Sequence, residues 1–182
     1  MFCGSAAGQM LPPMVVYRAQ NLYTSWCERG PKGTVYSCSK SGWFDMYQFE
    51  MWFCKLLLPR LKRLPGKKLI LGDNLSSHIS IYVIDLCKAN DIRFVCLPPN
   101  STDKLQPLDV GVFGPMKAAW RTVLTEYKRK NPKVVGIQKT DFPSLLASML
   151  EKADPGKHLP AAFDRCGLYP LNPERGMERI PS

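Results

Sequence analysis

Two short, predominantly apolar runs constrain the fold of this 182-residue chain more than any other feature. Residues 68–72 read Lys-Leu-Ile-Leu-Gly, and residues 92–97 read Ile-Arg-Phe-Val-Cys-Leu. Continuous apolarity without alternation is typical of strands that are covered on both faces. Between the two runs, residues 78–90 carry apolar side chains at helical spacing. A strand, a helix and a strand within about 30 residues predict a parallel βαβ unit, and therefore an α/β fold.

The N-terminal part of the chain is predicted to hold a hairpin, a long connection and a helix. Residues 1–7 and 13–18 are apolar runs separated by a turn, which indicates a hairpin. Residues 19–42 are rich in Gly, Ser, Pro and Tyr and predict a loop. Asp45 then caps a helix with apolar side chains at i, i+3, i+4, i+7 and i+8. We expect Pro59 to interrupt this helix near its end.

The C-terminal part is predicted to be helical and then rich in turns. A long helix covers about residues 109–130, and a shorter one, capped by Thr140 and Asp141, covers about residues 143–153. We therefore divide the chain into a main part, residues 1–130, and a helical, turn-rich extension of the same domain, residues 131–182.

The balance of charge points to a polyanionic partner. Lys and Arg number 25 against 15 Asp and Glu, so the formal net charge is +10. Two stretches concentrate this charge, and both flank the acidic motif described below. The first contains Lys55, Arg60, Lys62, Arg63, Lys67 and Lys68, and the second Lys117, Arg121, Lys128, Arg129, Lys130, Lys133 and Lys139. They indicate either contacts with a phosphate backbone or the solvated ends of two helices.

Several classes of protein are disfavoured. No stretch approaches about 18 consecutive apolar residues, so no transmembrane helix is predicted, and the N-terminus does not resemble a secretory signal. The seven cysteines are scattered and only two histidines are present, which disfavours a zinc site or a disulfide framework. Trp43, Trp52 and Trp120 are expected to serve packing rather than to stack on nucleobases.

Two aspartates follow predicted strands, at positions where α/β proteins commonly hold catalytic or ligand-binding residues. Asp73 follows the first apolar strand, and Asp109 opens the helix after the second strand. Ligands of open α/β sheets bind beyond the carboxyl ends of the strands, and carboxylate oxygens suit Mg²⁺. Two such ions would support phosphodiester chemistry. The alternative is that each aspartate only caps the helix that follows it.

The blocks LILGDNLSSH and RFVCLPPNSTDKLQPLDVGVFGPMKAAW resemble the DDE superfamily endonuclease domain of pogo, Tigger and jerky-like transposases and of centromere protein B relatives. GSAAGQMLPPMVVY, GTVYSCSKSGWFDMYQFEMWF and AAFDRCGLYPLNP are similar to further segments of that domain. The resemblance covers almost the whole chain. It implies a ribonuclease H-like fold, DNA as partner, Mg²⁺ or Mn²⁺ as cofactor and a nuclear location.

Carried over by resemblance, Asp73 matches the second catalytic aspartate and metal ligand of the family, and Asp109 matches the third. Asp103 is a rival for the third acid, but it is predicted to lie within a loop, whereas the acid of the family follows Gln-Pro-Leu as Asp109 does. Asn74 and His78 match neighbours of the second aspartate, where His78 orients the turn or touches phosphate. DNA contacts are expected from these two residues together with Lys62, Arg63, Lys67 and Lys68.

This chain also departs from the family pattern in one respect. The first aspartate of the family lies on a strand that precedes the hairpin, and this chain begins at the hairpin. We therefore expect an N-terminally truncated domain with weakened metal binding and incomplete catalysis. The strand edges left without that partner predict marginal folding or pairing with a second copy. The alternatives are an active recombinase in a longer gene product and a domesticated, non-enzymatic interaction module.

Overall fold

The computed structural model describes residues 1–73 and 80–177, which form short strands and eight helices. In chain order the strands are β1 (Met14–Arg18), β2 (Val35–Ser39), β3 (Lys68–Gly72) and β4 (Ile92–Cys96). The α-helices are α1 (Met46–Trp52), α2 (Leu58–Lys62), α3 (Ile81–Ala89), α4 (Thr102–Leu105), α5 (Phe113–Lys130), α6 (Phe142–Ala153), α7 (Leu159–Arg165) and α8 (Pro173–Met177). Two wider π-helical turns cover Phe53–Leu57 and Leu108–Val112, and 3₁₀ turns cover Thr24–Trp26 and Pro155–His158.

The predicted βαβ unit is confirmed. Strands β3 and β4 are parallel and in register from the Lys68–Ile92 pair to the Gly72–Cys96 pair, with α3 between them in the chain. The prediction that β3 is covered on both faces is wrong. Leu69 is 59 % exposed, and within the described residues β3 pairs with β4 alone. An apolar run indicates a strand, but it does not show whether other elements cover both faces of that strand.

The N-terminal hairpin is present, but its second arm is residues 10–14 rather than the predicted 13–18, and the loop predicted after it is wrong in part. The backbone N–H of Leu11 donates to the carbonyl of Cys3 at 2.9 Å, and that of Met14 donates to Met1 at 3.1 Å. Residues 19–42 contain β2, which pairs with β1 in parallel. Every residue of β2 is half-buried, and this short strand lies within a stretch whose Gly, Ser and Pro content favours a loop.

Helix α1 begins as predicted, because the Asp45 carboxylate accepts a hydrogen bond from the backbone N–H of Gln48 at 2.9 Å. The prediction that Pro59 interrupts the helix is wrong, since helical structure continues to Lys62. The π-helical turn lies immediately before Pro59. Proline has no N–H and crowds the carbonyl four residues earlier, and the wider turn accommodates it without ending the helix.

Two apolar clusters hold these elements together. The first packs α1, the π-helical turn after it and α2 against β3, α3 and β4; its most buried members are Phe49, Phe53 and Val83. The second joins α5, α6 and α7 around Val112 and Leu159, both fully buried. The first cluster supports the strand that leads to Asp73, and the second supports the turn that carries Asp109.

Three smaller expectations have mixed outcomes. Asp141 is the N-cap residue of α6, as predicted, but its side chain makes no capping hydrogen bond. Its carboxylate instead accepts a hydrogen bond from the Tyr127 hydroxyl at 2.7 Å, which joins α6 to α5. Trp52 is buried, as expected for packing, whereas Trp43 is 78 % exposed, so the packing role predicted for it is wrong. All seven cysteines are free thiols.

Candidate active site

Asp73 stands directly at the carboxyl end of β3. The strand ends at Gly72, whose carbonyl accepts a hydrogen bond from the backbone N–H of Leu97 at 2.8 Å. This bond extends the pairing of the two strands to the edge where Asp73 begins. The Oδ1 atom of Asp73 is shielded from solvent. The parallel pairing therefore fixes this carboxylate at the end of the sheet where ligands of α/β proteins bind.

Asp109 lies in the π-helical turn Leu108–Val112 that leads into α5. On its inner side this turn is anchored tightly, because Val112 is fully buried and Gly111 lies against Ala162 of α7. A Cβ atom at Gly111 would come within 2.7 Å of the Ala162 Cβ atom. The side of the turn that carries Asp109 remains exposed. Packing thus holds the backbone while the carboxylate faces outward.

The wider turn has a local cause that also occurs elsewhere in the chain. Pro115 follows it within α5, as Pro59 follows the π-helical turn Phe53–Leu57. In each case the proline cannot donate to the carbonyl four residues before it. Single π-helical turns inside helices frequently occur at functional sites, and this one presents Asp109.

Electrostatics links the two aspartates. The pKa of Asp109 is raised above its ordinary value of 3.8, chiefly because the protein removes part of the water around the carboxyl group. The positive charge of Lys117 acts in the opposite direction, and the negative charges of Asp73 and Asp103 raise the pKa further. Asp73 and Asp109 are therefore brought within electrostatic reach of each other, although α3, β4 and α4 lie between them in the sequence.

An open depression of about 580 Å³ adjoins Asp109 and is lined by Asn100, Thr102, Asp103 and Asp109. The expectation that Asp103 lies within a loop is wrong, since it lies in α4. It shares this depression with Asp109 rather than standing apart from it. Sequence reasoning also gave no role to Gln106, whose buried Oε1 atom has no hydrogen-bond partner among the described residues. Its position three residues before Asp109 was the signal available.

The structure does not bring the first basic stretch to the carboxylates. Lys62, Arg63 and Lys67 are exposed, and Lys68 is half-buried at the start of β3. At about 3.3 Å per residue, the strand separates Lys68 from Asp73 by about 16 Å. Lys117, by contrast, acts directly on Asp109. Asn74 and His78 lie outside the described residues.

The donor set at this edge suits a hard cation. Asp73, Asp103 and Asp109 offer carboxylate oxygens, which Mg²⁺ and Mn²⁺ prefer. A cation would relieve the repulsion among them, which adds to the rise in the pKa of Asp109 that loss of water mainly causes. Over residues 1–73 and 80–177, however, no three His, Cys, Asp or Glu side chains are close enough to form a metal-binding group. The carboxylates fit a divalent ion in their chemistry without forming a closed set of ligands.

Comparison with known proteins identifies the family. The sequence model described as "DDE superfamily endonuclease" matches residues 1–145, which is most of the chain. The chain belongs to the DDE superfamily endonuclease family. Members of this family generally use divalent metal ions, and the carboxylates at the end of β3 and before α5 are the oxygen donors that such ions prefer.

One curated relative of this DDE superfamily chain carries an unrelated description. A Cochliobolus lunatus protein described as "MFS-type transporter clz9" is 28 % identical over 183 residues, covering 97 % of this chain and 19 % of that protein. This chain therefore spans about a fifth of the length of that relative. In the part of the chain that the structure describes, no helix combines the length and apolarity needed to cross a membrane. No solved structure matches the chain.

Proposed function

We propose that this chain is a transposase-derived, DDE endonuclease-like domain of ribonuclease H-like fold that binds DNA and acts in the nucleus. The observation that carries the proposal is the electrostatic coupling between Asp73 and Asp109, two residues that match acids of the family. The family match supports the nuclease-like character of the domain, and the net charge of +10 supports a polyanionic partner.

The carboxylates give this chain its proposed chemical role. Asp73 and Asp109 would hold a divalent ion, with Asp103 close enough to contribute through solvent. Bound there, such an ion would activate an attacking oxygen and stabilise a leaving oxygen in phosphodiester chemistry. Lys117 acts on the same carboxylate, and its positive charge opposes the rise in the pKa of Asp109. It is therefore suited to contact a phosphate next to the carboxylates.

The exposed basic residues are proposed to extend the DNA contact beyond the carboxylates. The separation of about 16 Å along β3 corresponds to about five base-pair steps of a duplex at 3.4 Å each. A single duplex is therefore long enough to contact both Asp73 and Lys68. Lys128, Arg129 and Lys130 lie at the far end of α5, about 16 Å or more beyond Lys117 at about 1.5 Å per residue, and would contact more distant phosphates.

Catalysis by this chain alone is proposed to be incomplete. Two carboxylates with water suit one hard cation rather than the pair used in two-metal chemistry. A longer product that supplies a further metal-binding acid would be an active recombinase, and the much greater length of the curated relative supports a domain built into larger proteins. The free edge of β3 within the described residues is one place where a second copy could pair.

Duplex DNA binding tests the proposal. We expect sequence-independent binding whose logarithmic affinity falls with the logarithm of salt concentration, with a slope near −4 to −5 if about five phosphates are neutralised. The test variant replaces four basic residues with Gln: Lys62, Arg63, Lys67 and Lys68. Its slope should be flatter by about 0.9 for each phosphate that the variant no longer neutralises. Fluorescence anisotropy with a labelled duplex over a salt series measures both quantities.

A matched control removes four positive charges elsewhere. Its Gln substitutions fall at Lys88, Lys152, Lys157 and Arg175, which are exposed and lie outside the basic stretch before β3. The control should keep a steeper slope than the test variant. Equal slopes for the two variants would show that net charge alone governs binding, and absence of binding at low salt would contradict the DNA-binding function itself.

A further inference from the structure

The turn between β2 and α1 presents a tryptophan to solvent. Trp43 is 78 % exposed, and Met46 and Tyr47 in the first turn of α1 are 51 % and 68 % exposed. Phe44, the next residue after Trp43, packs instead against the first apolar cluster. Large aromatic side chains favour burial, so an indole this exposed, beside two further exposed apolar side chains, marks an interaction surface.

Hydrogen bonds hold the backbone of this turn in place. The Ser39 hydroxyl donates to the carbonyl of Trp43 at 3.2 Å, and the N–H of Trp43 donates to the Ser41 hydroxyl at 3.2 Å. The N–H of Gly42 donates to the Ser39 hydroxyl at 3.0 Å. Gly42 has a φ of +76°, and a Cβ atom there would come within 2.8 Å of the Arg18 Cβ atom. The backbone that carries Trp43 is therefore fixed before any ligand binds.

Positively charged residues lie in and beside the turn that carries the exposed indole. Arg18 lies against Gly42 and is exposed, and Lys40 is exposed within the turn itself. The ammonium group of Lys139 donates to the carbonyl of Arg18 at 2.8 Å, which adds a third cation. The nearest acid in the sequence, Asp45, is committed to capping α1. An aromatic face flanked by cations suits a ligand that combines flat rings with negative charge.

We propose that Trp43 stacks on an unpaired base of single-stranded DNA, while Arg18 and Lys40 contact the adjoining phosphates. Aromatic side chains next to a positively charged groove are the usual means of binding single strands without sequence preference. The proposal rests on the DNA-binding function above and assigns it a second, base-dependent contact. An apolar protein partner would gain from the indole but would leave the surrounding cations without counter-charges.

The test separates base stacking from phosphate attraction. Two labelled single-stranded oligonucleotides of equal length are compared, one of thymidines and one of abasic sugars with the same phosphates. We expect the wild-type chain to bind the thymidine strand about tenfold more tightly, within the range for one base stacked on an aromatic side chain. Trp43→Ala should remove this preference and Trp43→Phe should keep most of it. Tyr169→Ala, which removes an aromatic side chain that is 64 % exposed elsewhere, should leave it unchanged.

Each other outcome has a distinct meaning. Equal affinity of the wild-type chain for the two strands would overturn the role of Trp43 and leave DNA binding intact. A base preference that survives in Trp43→Ala would also overturn it, because another residue would then make the contact with the base. Failure to bind either strand or a duplex would contradict the DNA-binding function and, with it, this proposal. Circular dichroism verifies that each variant is folded.

Discussion

The negative charge of Asp73 raises the pKa of Asp109. This relationship joins the end of β3 to the π-helical turn before α5, and it places two family-matched acids at one edge of the molecule. The backbone at each aspartate is supported by a different apolar cluster, so neither position depends on packing around the other. Repulsion between carboxylates costs free energy unless a cation or a proton relieves it, so their proximity is best explained by a site for cations.

The coupling itself can be measured by titration. Asp73→Asn removes a negative charge and should lower the pKa of Asp109, whereas Lys117→Gln removes a positive charge and should raise it. Nuclear magnetic resonance of the Asp109 carboxyl carbon over a pH series gives the pKa directly. As a control, Asp45→Asn removes one negative charge at the start of α1 and should leave the pKa of Asp109 unchanged. An Asp109 pKa that is the same in the wild type and in Asp73→Asn would contradict the shared site.

Asp109 should also reduce stability at neutral pH. Since its pKa is raised in the folded chain, the folded chain binds this proton more tightly than the unfolded chain does. The resulting stabilisation is complete below the ordinary pKa of 3.8 and is lost as the pH rises through the folded value. Asp109→Asn should therefore raise the melting temperature at neutral pH, and this gain should vanish below pH 3.8.

The control for that melt is Asp85→Asn, since the Asp85 carboxylate forms an exposed ion pair with Lys88 at 3.6 Å. Exposed pairs of this kind contribute little, and breaking one should give no gain in melting temperature at any pH. A gain for Asp109→Asn that persists unchanged into acid would contradict the electrostatic explanation, because it would have to arise from packing or from the local backbone.

A buried hydrogen bond should stabilise the start of α3. The Ser80 hydroxyl donates to the Glu50 carboxylate at 2.5 Å and accepts from the N–H of Val83 at 3.4 Å, and Ser80 is 2 % exposed. Ser80→Ala should cost about 1–3 kcal/mol in the free energy of unfolding by urea titration. Ser148→Ala removes a hydroxyl that donates only to the carbonyl one turn earlier in α6, at 3.1 Å, and should cost less than about 0.5 kcal/mol. Equal costs would contradict the role of the Glu50–Ser80 contact.

The sequence predicted those elements whose signal is local. The apolar runs of β3 and β4, the Asp45 cap and the periodic face of α1 each depend on a few neighbouring residues, and the structure has all of them. Strand β2 was missed because its five residues lie within a stretch rich in Gly, Ser, Pro and Tyr, whose composition favours a loop. Both π-helical turns were missed because a proline indicates a disturbed helix without indicating whether the helix ends or widens.

The sequence proposed residues for the candidate site, but it did not predict their arrangement. Asp73 and Asp109 were identified by strand ends and by family motifs. Their electrostatic coupling, and the inclusion of Asp103 in the same depression, arise from contacts between residues distant in the sequence, such as the packing of Gly111 against Ala162. The exposure of Trp43 could not be predicted either, because a Ser-Gly turn followed by two aromatic residues does not show which aromatic side chain faces inward.

Metal binding tests the central claim most directly. Isothermal titration calorimetry with Mn²⁺ should show one weak site, with affinity that strengthens as the carboxylates lose their protons at rising pH. The double variant Asp73→Ala with Asp109→Ala should show no binding, whereas a control that removes Asp85 and Glu151, two exposed acids elsewhere, should bind as the wild type does. Mn²⁺ binding that persists unchanged in the Asp73 and Asp109 double variant would contradict the account.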